Sequence, residues 1–499
     1  MSEQVIAKAL AALKQDRFTE ARDYIANYGL SGQLNLQHYL IRGLAELSLL
    51  AWADAAKTFT AAVTQYPDHP QLWSNLGQAE ENLGDLKAAA KDYERSLELK
   101  PDEGDVHGNL SNVYRLLGRN ADAEIMARAA LDHGAPKAQA LNSLGLALGR
   151  QGKFQAAEKC FIDALQLEPG NSSVLANLAN LAIDQLNFTA AWPYYAKARS
   201  LNQSPMIDRD EGMARLLAGD YAIGWKLYQQ RLKLPRALRL SPDCPLYAGE
   251  PLRGKKILLV AEQGMGDTIQ FCRYGALLAR AGAELIWAVQ RPLVRLLAAN
   301  VSGRVYGEDD QLPPTDYYLP LLSLPLMTEK FAPKLAPKTP YLRASRGAQL
   351  HLTSQAPKIG LVWSGSPTHE RDHERSIDLR KLAPLWQNLK AQFYAPFIGA
   401  GLEQIGGFPI IRTDQLIGDF LDTAILLLQL DYLITVDTAI AHLAGALDVK
   451  TYLLLPYCPD WRWGIEGRSS PWYNSVTLLR QSRYGEWGMV VDSLASELC

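Results

Sequence analysis

An alanine recurs at constant spacing through the first half of the chain. Six alanines are each separated by 34 residues: Ala21, Ala55, Ala89, Ala123, Ala157 and Ala191. A period of this length is typical of arrays in which every repeat is a pair of helices. Each pair packs only on its neighbours, so the pattern predicts a stacked helical array, an α-solenoid, rather than a closed globular domain.

Other positions keep the same register. They are leucines (Leu76, Leu110, Leu144, Leu178), small residues (Gly43, Gly77, Ser111, Gly145, Ala179) and aromatic residues (Phe59, Tyr93, Phe161, Tyr195). Small residues let two helices approach closely, and the aromatic rings fill the gaps between them. The pattern resembles that of tetratricopeptide repeats. The resemblance implies a superhelix whose concave groove binds an extended polypeptide.

Asparagine occupies one position in three of the repeats, as Asn75, Asn109 and Asn177, with Ser143 completing the series. A primary amide can both donate to and accept from a peptide backbone without reading its side chains. The series resembles the asparagine ladder of the O-linked N-acetylglucosamine transferases, which implies that these amides bind a protein acceptor. Polar residues on a solvated helix face would give the same pattern, and both interpretations stay open.

Charge and apolar length exclude several classes of partner. The chain has 51 basic and 53 acidic residues, so no global basic field attracts nucleic acid or an anionic membrane. No stretch is long and apolar enough to span a bilayer, and we expect a soluble cytoplasmic protein. The five cysteines form no C-x-x-C pair, which argues against a disulfide framework and a structural zinc.

The composition changes after the repeats. Prolines accumulate between residues 235 and 254, and strands then alternate with helices, the pattern of a parallel sheet with crossover helices. We predict a repeat superhelix with a capping unit at 1–234 and a linker at 235–254. An abbreviated Rossmann-like domain follows at 255–343, a second linker at 344–357, and a second Rossmann-like domain at 358–499.

One strand–helix junction in the last domain has the features of an anion site. An apolar strand, Leu433–Val436, precedes a helix of small residues, Ala439–Leu447, with Asp437 and Thr438 at the turn and His442 one turn inside. Unpaired N–H groups and the helix dipole favour a diphosphate there. The alternative is that Asp437 only caps the helix and His442 only packs.

A glycine-rich turn follows the first predicted strand of the α/β half. It contains Gly264 and Gly266 and leads into a helix predicted over Asp267–Ala281. Ile269 stands where a dinucleotide fingerprint has its third glycine, so a nicotinamide-dependent enzyme is not indicated. Glycines let a sugar come close, which makes Asp267 a candidate general base; the alternative is that Asp267 is only a helix cap.

The motifs together resemble those of bacterial proteins that fuse tetratricopeptide repeats to a glycosyltransferase-B domain similar to the lipopolysaccharide heptosyltransferases. The resemblance covers nearly the whole chain. It rests on AEQGMGDTIQFCRY (Ala261–Tyr274), PLLSLP (Pro320–Pro325), IGLVWSGSP (Ile359–Pro367), RSI (Arg375–Ile377), VDTAIAHLAGAL (Val436–Leu447) and PDWRWG through SPWY (Pro459–Tyr473).

The resemblance implies sugar transfer from a nucleotide-activated donor. We expect no metal or other cofactor, because the only D-x-D triplet, Asp208–Asp210, lies in the helical half rather than at a strand end. Asp267 would be the base, and Ser323 is a candidate contact for the acceptor. Heptosyltransferases have a lysine where this chain offers Arg375, so the role of Arg375 as phosphate cation is our inference. The predicted donor-binding residues are Gly264, Gly266, Trp363, Ser364, Gly365, Arg375, Ser376, Asp437, Thr438, His442, Leu443 and Ala444.

The predicted function is transfer, with inversion, of a sugar to a serine or threonine of a protein acceptor captured by the repeats. By resemblance to fused enzymes of this build, flagellin or another surface protein is a candidate acceptor. Two alternatives remain: a transferase that extends a glycan or lipopolysaccharide, and an inactive scaffold that binds a peptide. Oligomerisation through the repeats is left open.

The aromatic-rich segment around Trp461, Trp463, Trp472 and Tyr473 allows two interpretations. The rings could stack on a base or a sugar, or they could seal the carboxyl-terminal segment onto the sheet. We favour sealing.

Overall fold

The computed structural model describes residues 2–29, 34–235, 237–238, 240, 242–328, 339–345, 352, 354–367 and 369–498. The chain divides into two compact units, Met1–Leu181 and Ala182–Cys499. Residues 329–338, near the end of the first predicted Rossmann-like domain, lie outside the described residues. The same is true of residues 346–351 and 353 of the second predicted linker.

The first unit is helical throughout the part that the structure describes. Its helices are α1 (Ser2–Leu13), α2 (Phe18–Gly29), α3 (Leu36–Ser48), α4 (Trp52–Gln65), α5 (Pro70–Leu83), α6 (Leu86–Leu99), α7 (Gly104–Leu116), α8 (Asn120–Asp132), α9 (Lys137–Gly149), α10 (Phe154–Leu167) and α11 (Ser172–Asp184), the last ending just beyond the boundary. The predicted α-solenoid is confirmed.

Close approach of paired helices explains the small residues of the repeat. A Cβ atom built on Gly145 of α9 would lie 2.6 Å from the ring of Phe161 in α10. Gly43 stands in the same relation to Phe59, with its built Cβ 2.3 Å from the ring. These rings are almost fully buried, and so are all six alanines of the 34-residue register. The missing side chain on one helix is therefore the space that the ring of the next helix fills.

We expect Gly145→Ala to destabilise the array by about 1–3 kcal/mol, because the added methyl group overlaps a buried ring. Gly108→Ala is the matched control, since Gly108 also lies inside a helix, α7, but a Cβ there meets nothing within 4 Å. It should stabilise the protein by about 0.5–1 kcal/mol through helix propensity. Urea denaturation followed by circular dichroism measures both, and a stabilising Gly145→Ala would contradict this account.

A buried carboxylate in α6 should make stability depend on pH. Burial, and then Glu80 and Asp85, raise the pKa of Asp92 to about 7. The folded state therefore binds a proton more tightly than the unfolded state, whose pKa is about 3.9. Stability should fall as the pH rises from about 4 through 7.

Asp92→Asn should remove that loss and stabilise the protein above pH 7 by about 1–2 kcal/mol, after allowance for solvent screening. At pH 4 the substitution should have little effect, because Asp92 is then protonated. Asp54→Asn in α4, whose side chain is 59% exposed, is the control and should change stability by less than about 0.5 kcal/mol. Thermal melts at both pH values test this, and equal effects at the two pH values would refute it.

The second unit begins with helices and continues into two parallel sheets. One sheet has four strands in the order β3-β2-β1-β4, and the other has six in the order β10-β9-β8-β5-β6-β7. The strands are β1 (Lys256–Val260), β2 (Glu284–Val289), β3 (Arg304–Gly307), β4 (Tyr317–Pro320), β5 (Lys358–Val362), β6 (Gln392–Ala395), β7 (Ile410–Arg412), β8 (Tyr432–Val436), β9 (Thr451–Leu455) and β10 (Val476–Arg480).

Twelve α-helices lie in the described part of the second unit, beyond the end of α11. They are α12 (Phe188–Leu201), α13 (Pro205–Leu217), α14 (Tyr221–Tyr228), α15 (Met265–Phe271), α16 (Gly275–Arg280), α17 (Val294–Ala298), α18 (Leu324–Thr328), α19 (Asp372–Arg375), α20 (Ala383–Asn388), α21 (Phe420–Leu427), α22 (Ala439–Ala446) and α23 (Gly488–Leu498). The predicted parallel α/β half is confirmed. The single helix predicted at 267–281 is instead two helices, α15 and α16, separated by a 3₁₀ turn at Cys272–Tyr274.

The last repeat helices belong to the second unit, although the sequence assigns residues up to 234 to the array. The ring of Trp225 in α14 makes edge contacts with Phe271, at 6.1 Å, and with Trp461, at 5.2 Å. Arg231, just after α14, forms a buried ion pair of 2.8 Å with Glu262 at the end of β1. This packing joins α14 and the turn after it to the second unit.

Among the described residues, none of the helices is both long enough and apolar enough to cross a bilayer.

Candidate functional site

The two glycine- and aspartate-containing motifs come together at helices α15 and α22. A Cβ built on Gly266 would lie 2.8 Å from Cδ2 of His442 and 3.3 Å from Cα of Ala439. Any side chain at residue 266 would push the two helices apart. α15 follows β1 and α22 follows β8, so the contact lies beyond the carboxyl ends of the central strands, where α/β folds bind ligands.

Asp267 is held from two sides. Its Oδ2 accepts a 2.8 Å hydrogen bond from the backbone N–H of Gly264, so it caps α15, as one interpretation of the sequence predicts. Its Oδ1 accepts from Nη2 of Arg462, which comes from the six-stranded half of the unit. Burial raises the pKa of Asp267, while Arg462 opposes that rise. The side chain remains 15% exposed.

Arg462 is a site residue that the sequence analysis did not select. It lies in a 3₁₀ turn after β9, and its side chain is 8% exposed. Besides Asp267, its guanidinium donates to Asp460 and Gln270. The only local signal is its place in the PDWRWG motif, and nothing in that motif indicates a partner on a distant helix.

The turn between β8 and α22 is built as predicted, with a different cap. Thr438 is the N-cap, since its Oγ1 accepts from the N–H of Ile440 at 3.3 Å, so the interpretation of Asp437 as the cap is wrong. Burial raises the pKa of Asp437 to about 6 and Asp460 adds to the rise, whereas Arg375 opposes it. Asp437 therefore belongs to the same charged cluster.

His442 is buried among aromatic side chains. Its Nδ1 lies 2.9 Å from the hydroxyl oxygen of Tyr473, and its ring stacks on Trp463 with the centroids 5.1 Å apart. Burial, together with Arg462, lowers the pKa of His442 to about 3. The imidazole is neutral at physiological pH, so it can offer a hydrogen bond to a ligand but no positive charge.

Three predicted donor residues lie together in the segment after β5. The N–H of Gly365 donates to Oγ of Ser376 at 2.9 Å, and Nε of Arg375 donates to Asp372 at 3.0 Å. A Cβ on Gly365 would lie 2.7 Å from Nη2 of Arg375. The glycine therefore lets the guanidinium lie against the backbone.

Other predicted donor residues are in packing positions. Trp363 is fully buried and meets Phe397 edge to face at 5.0 Å. Leu443 and Ala444 are fully buried inside α22. Ser364 lies beside Gly401, whose built Cβ would be 2.7 Å from its Cβ.

The predicted acceptor contact Ser323 does not reach the surface. It is fully buried, donates to Gln229 at 2.8 Å and accepts from Arg231 at 2.9 Å. Its hydroxyl is thus part of the internal network around Glu262. In this arrangement it is unavailable to an acceptor.

The three asparagines of the predicted ladder lie one per repeat, in α5, α7 and α11. Asn75 is buried, and in the described residues its Nδ2 has no hydrogen-bond partner. Asn177 donates to Asn142 of α9 at 2.8 Å. Asn109 hydrogen bonds to Tyr93.

The aromatic segment between residues 461 and 473 packs into the interior of the second unit. Trp461, Trp463, Trp472 and Tyr473 are all buried, and Nε1 of Trp472 donates to the carbonyl of Arg462 at 2.6 Å. This agrees with the interpretation favoured from the sequence. In the described part of the chain, no three histidine, cysteine or acidic side chains group as a metal site.

Comparison with known proteins identifies the repeats. Models of the tetratricopeptide repeat match residues 6–70, 42–105, 74–139 and 138–171. The amino-terminal part is therefore a tetratricopeptide-repeat array, a class of protein that generally binds peptides or proteins. The α/β half has no counterpart among these matches.

Individual relatives extend the comparison. The chain is 26% identical to "Protein FlbA" of Caulobacter vibrioides over 491 residues, covering 90% of this chain and 81% of that protein. It is 30% identical to human "Tetratricopeptide repeat protein 7B" over 122 residues, 24% of this chain and 14% of that protein. A tetratricopeptide repeat protein of Parabacteroides merdae superposes on 46% of this chain and 92% of its own, with 14% identity and a TM-score of 0.43.

We expect His442 to stay neutral from pH 8 down to pH 5, because protonation would place a charge in a buried aromatic site. The measurement is the long-range ¹H–¹⁵N spectrum of imidazole-labelled protein, with His442→Gln to assign the signal. Free histidine in the same buffers, with an ordinary pKa of about 6.5, is the control. A titration of the His442 signal above pH 5.5 would refute the expectation.

Proposed function

We propose that this protein is a glycosyltransferase of the glycosyltransferase-B type, which moves a sugar from a nucleotide-activated donor to a hydroxyl of a protein acceptor. The observation that carries the proposal is the contact of Gly266 with His442. It supports a shared site, because it joins the glycine-rich turn after β1 to the anion-favouring turn after β8.

The groups around this contact fit the chemistry of sugar transfer. An acceptor oxygen forms a bond to the anomeric carbon while the bond from that carbon to the donor phosphate breaks, and its electron pair leaves with the phosphate. Asp267 accepts the proton of the hydroxyl. Arg375 and the amino terminus of α22 offset the charge that develops on the phosphate, and neutral His442 donates a hydrogen bond.

The repeats supply the acceptor side of the proposal. Tetratricopeptide arrays bind extended polypeptides, and amides at Asn109 and Asn177 suit recognition of a peptide backbone. The acceptor would therefore present a serine or threonine within a flexible segment. The similarity to FlbA extends over both halves of the chain, which supports the view that repeats and sheets work as one protein.

Donor binding tests the proposal first. Uridine, guanosine, adenosine and cytidine diphosphates are added separately to the full chain, and the melting temperature is measured. One of them should stabilise the fold by mass action, by about 2.7 kcal/mol at a hundredfold excess over its Kd. If none of the four has an effect, the donor site is refuted.

We expect Asp267→Asn to keep the nucleotide-induced shift and to lose transfer by about 10²–10⁴-fold, because the base is absent while the helix cap survives as an amide. Release of radiolabelled sugar from the matching nucleotide sugar is the measurement. Asp310→Asn is the matched control. Like Asp267, Asp310 accepts a hydrogen bond from a backbone N–H, that of Gly307, and pairs with an arginine, Arg291. Unlike Asp267, it follows β3 and lies outside the candidate site. If both variants transfer sugar at the wild-type rate, Asp267 is not the base.

A second candidate is a peptide-binding scaffold without transferase activity. The observation that favours it is that each oxygen of Asp267 already accepts one hydrogen bond, from Gly264 and from Arg462. The scaffold predicts no nucleotide-induced shift. The nucleotide screen therefore separates the two candidates.

A further inference from the structure

One guanidinium spans the two α/β halves of the second unit. Nε of Arg462 donates to Oε1 of Gln270 at 2.8 Å, and Nη1 donates to Oδ1 of Asp460 at 2.8 Å. Nη2 donates to Oδ1 of Asp267. Gln270 and Asp267 belong to α15, which follows a strand of the four-stranded sheet, while Asp460 and Arg462 follow β9 of the six-stranded sheet. All three nitrogens are used.

The guanidinium is held rigidly in that position. The backbone N–H of Arg462 donates to Oδ1 of Asp460 at 3.0 Å. The indole N–H of Trp472 donates to the backbone carbonyl of Arg462. The guanidinium carbon lies 4.2 Å from the ring centroid of Trp461. Because its backbone and its side chain are both anchored, Arg462 presents Nη2 to Asp267 at low entropic cost.

The titratable groups that face Asp267 come from several elements. Arg462 and Asp460 face it from the turn after β9, and Glu262 and Tyr228 face it from the end of β1 and from α14. Glu262 is already neutralised by two hydrogen bonds from Arg231. Burial and Asp460 favour a protonated Asp267, whereas Arg462 favours the carboxylate.

We propose that Arg462 is a positioning residue that keeps the carboxylate of Asp267 ionised and oriented, and that Asp460 fixes Arg462 for this task. With Gly264 on one oxygen and Arg462 on the other, the carboxylate plane is set, and each oxygen keeps a lone pair for an incoming hydroxyl. The role of the carboxylate as base rests on the proposed function. The claim that Arg462 stabilises the ionised form of Asp267 does not rest on it.

The test compares one substitution in two backgrounds. In the wild-type protein at pH 8, Asp267→Asn should lower the melting temperature by about 2–4 °C, because it leaves a buried guanidinium with fewer partners. In the Arg462→Gln background, the same substitution should raise the melting temperature, because it removes a buried carboxylate that has lost its cation. At pH 4.5 the rise should shrink, because the lower pH favours the protonated, neutral form of Asp267.

Effects of the same sign in both backgrounds at pH 8 would overturn the proposal. If Arg462→Gln alone fails to fold but Arg462→Gln with Asp267→Asn folds, the proposal is supported, since only the unpaired charge differs. If neither folds, Arg462→Lys decides. It retains the charge, so Asp267→Asn should still lower its melting temperature, and a rise there would overturn the proposal.

Arg295→Gln is the matched control. Arg295 also pairs with carboxylates of the other half, Asp419 and Asp422, but its side chain is 58% exposed. Asp267→Asn should lower the melting temperature in this background as it does in the wild type. A reversal of sign here would show that the effect is not specific to Arg462, and it would overturn the proposal.

Activity gives a second readout, with release of labelled sugar from UDP-glucose, UDP-N-acetylglucosamine, GDP-mannose and an ADP-activated heptose as the probes. With the substrate that reacts, the acid limb of the kcat/KM profile should move to higher pH in Arg462→Gln, because the base loses its cation, and should stay near its wild-type position in Arg462→Lys, which keeps the charge. An unmoved limb in Arg462→Gln overturns the proposal. If no probe reacts, the proposed function fails, and the sign of the Asp267→Asn effect still decides the role of Arg462.

Discussion

The missing side chain of Gly266 is the constraint on which the rest of the candidate site depends. It lets α15 lie directly on the first turn of α22, with His442 and Ala439 in contact with its backbone. Through that contact the ends of two separate sheets face the same space. Asp267, Asp437 and Arg462 lie in one electrostatic environment there, since Asp460 and Arg462 influence the pKa of both aspartates. Packing at one glycine thus decides the chemistry of several charged groups.

The last repeat helices contribute to the second unit in a way that a simple adaptor would not need. Trp225 fills a space between α15 and the turn after β9, and Arg231 satisfies the buried carboxylate of Glu262. At the end of α11, Asp184 pairs with Arg371 at 2.8 Å, and Arg371 also pairs with Glu374, one residue before Arg375. The four-stranded sheet is small for an independent domain, and the contacts of Trp225 with Phe271 and of Arg231 with Glu262 add burial to it.

Neutral and charged groups of the candidate site lie in different surroundings. His442 sits among Tyr473 and Trp463, where a charge would be poorly solvated, so it can orient a ligand without competing with the arginines. Arg375 lies against Gly365 and is tied to Asp372, which keeps a cation beside the strand ends. Positive charge therefore comes from guanidinium groups and from the amino terminus of α22. The positive charge of the candidate site therefore does not depend on protonation of His442 at physiological pH.

The repeats, the parallel α/β half and the strand–helix turn at Asp437 and Thr438 could all be predicted from the chain alone. Their causes are local: a 34-residue period, alternation of strands and helices, and small residues after an apolar run. The pairing of Asp267 with Arg462, the burial of Ser323 and the start of the second unit at residue 182 could not. Each depends on a contact between side chains far apart in sequence, and no local pattern encodes such a contact until the chain has packed.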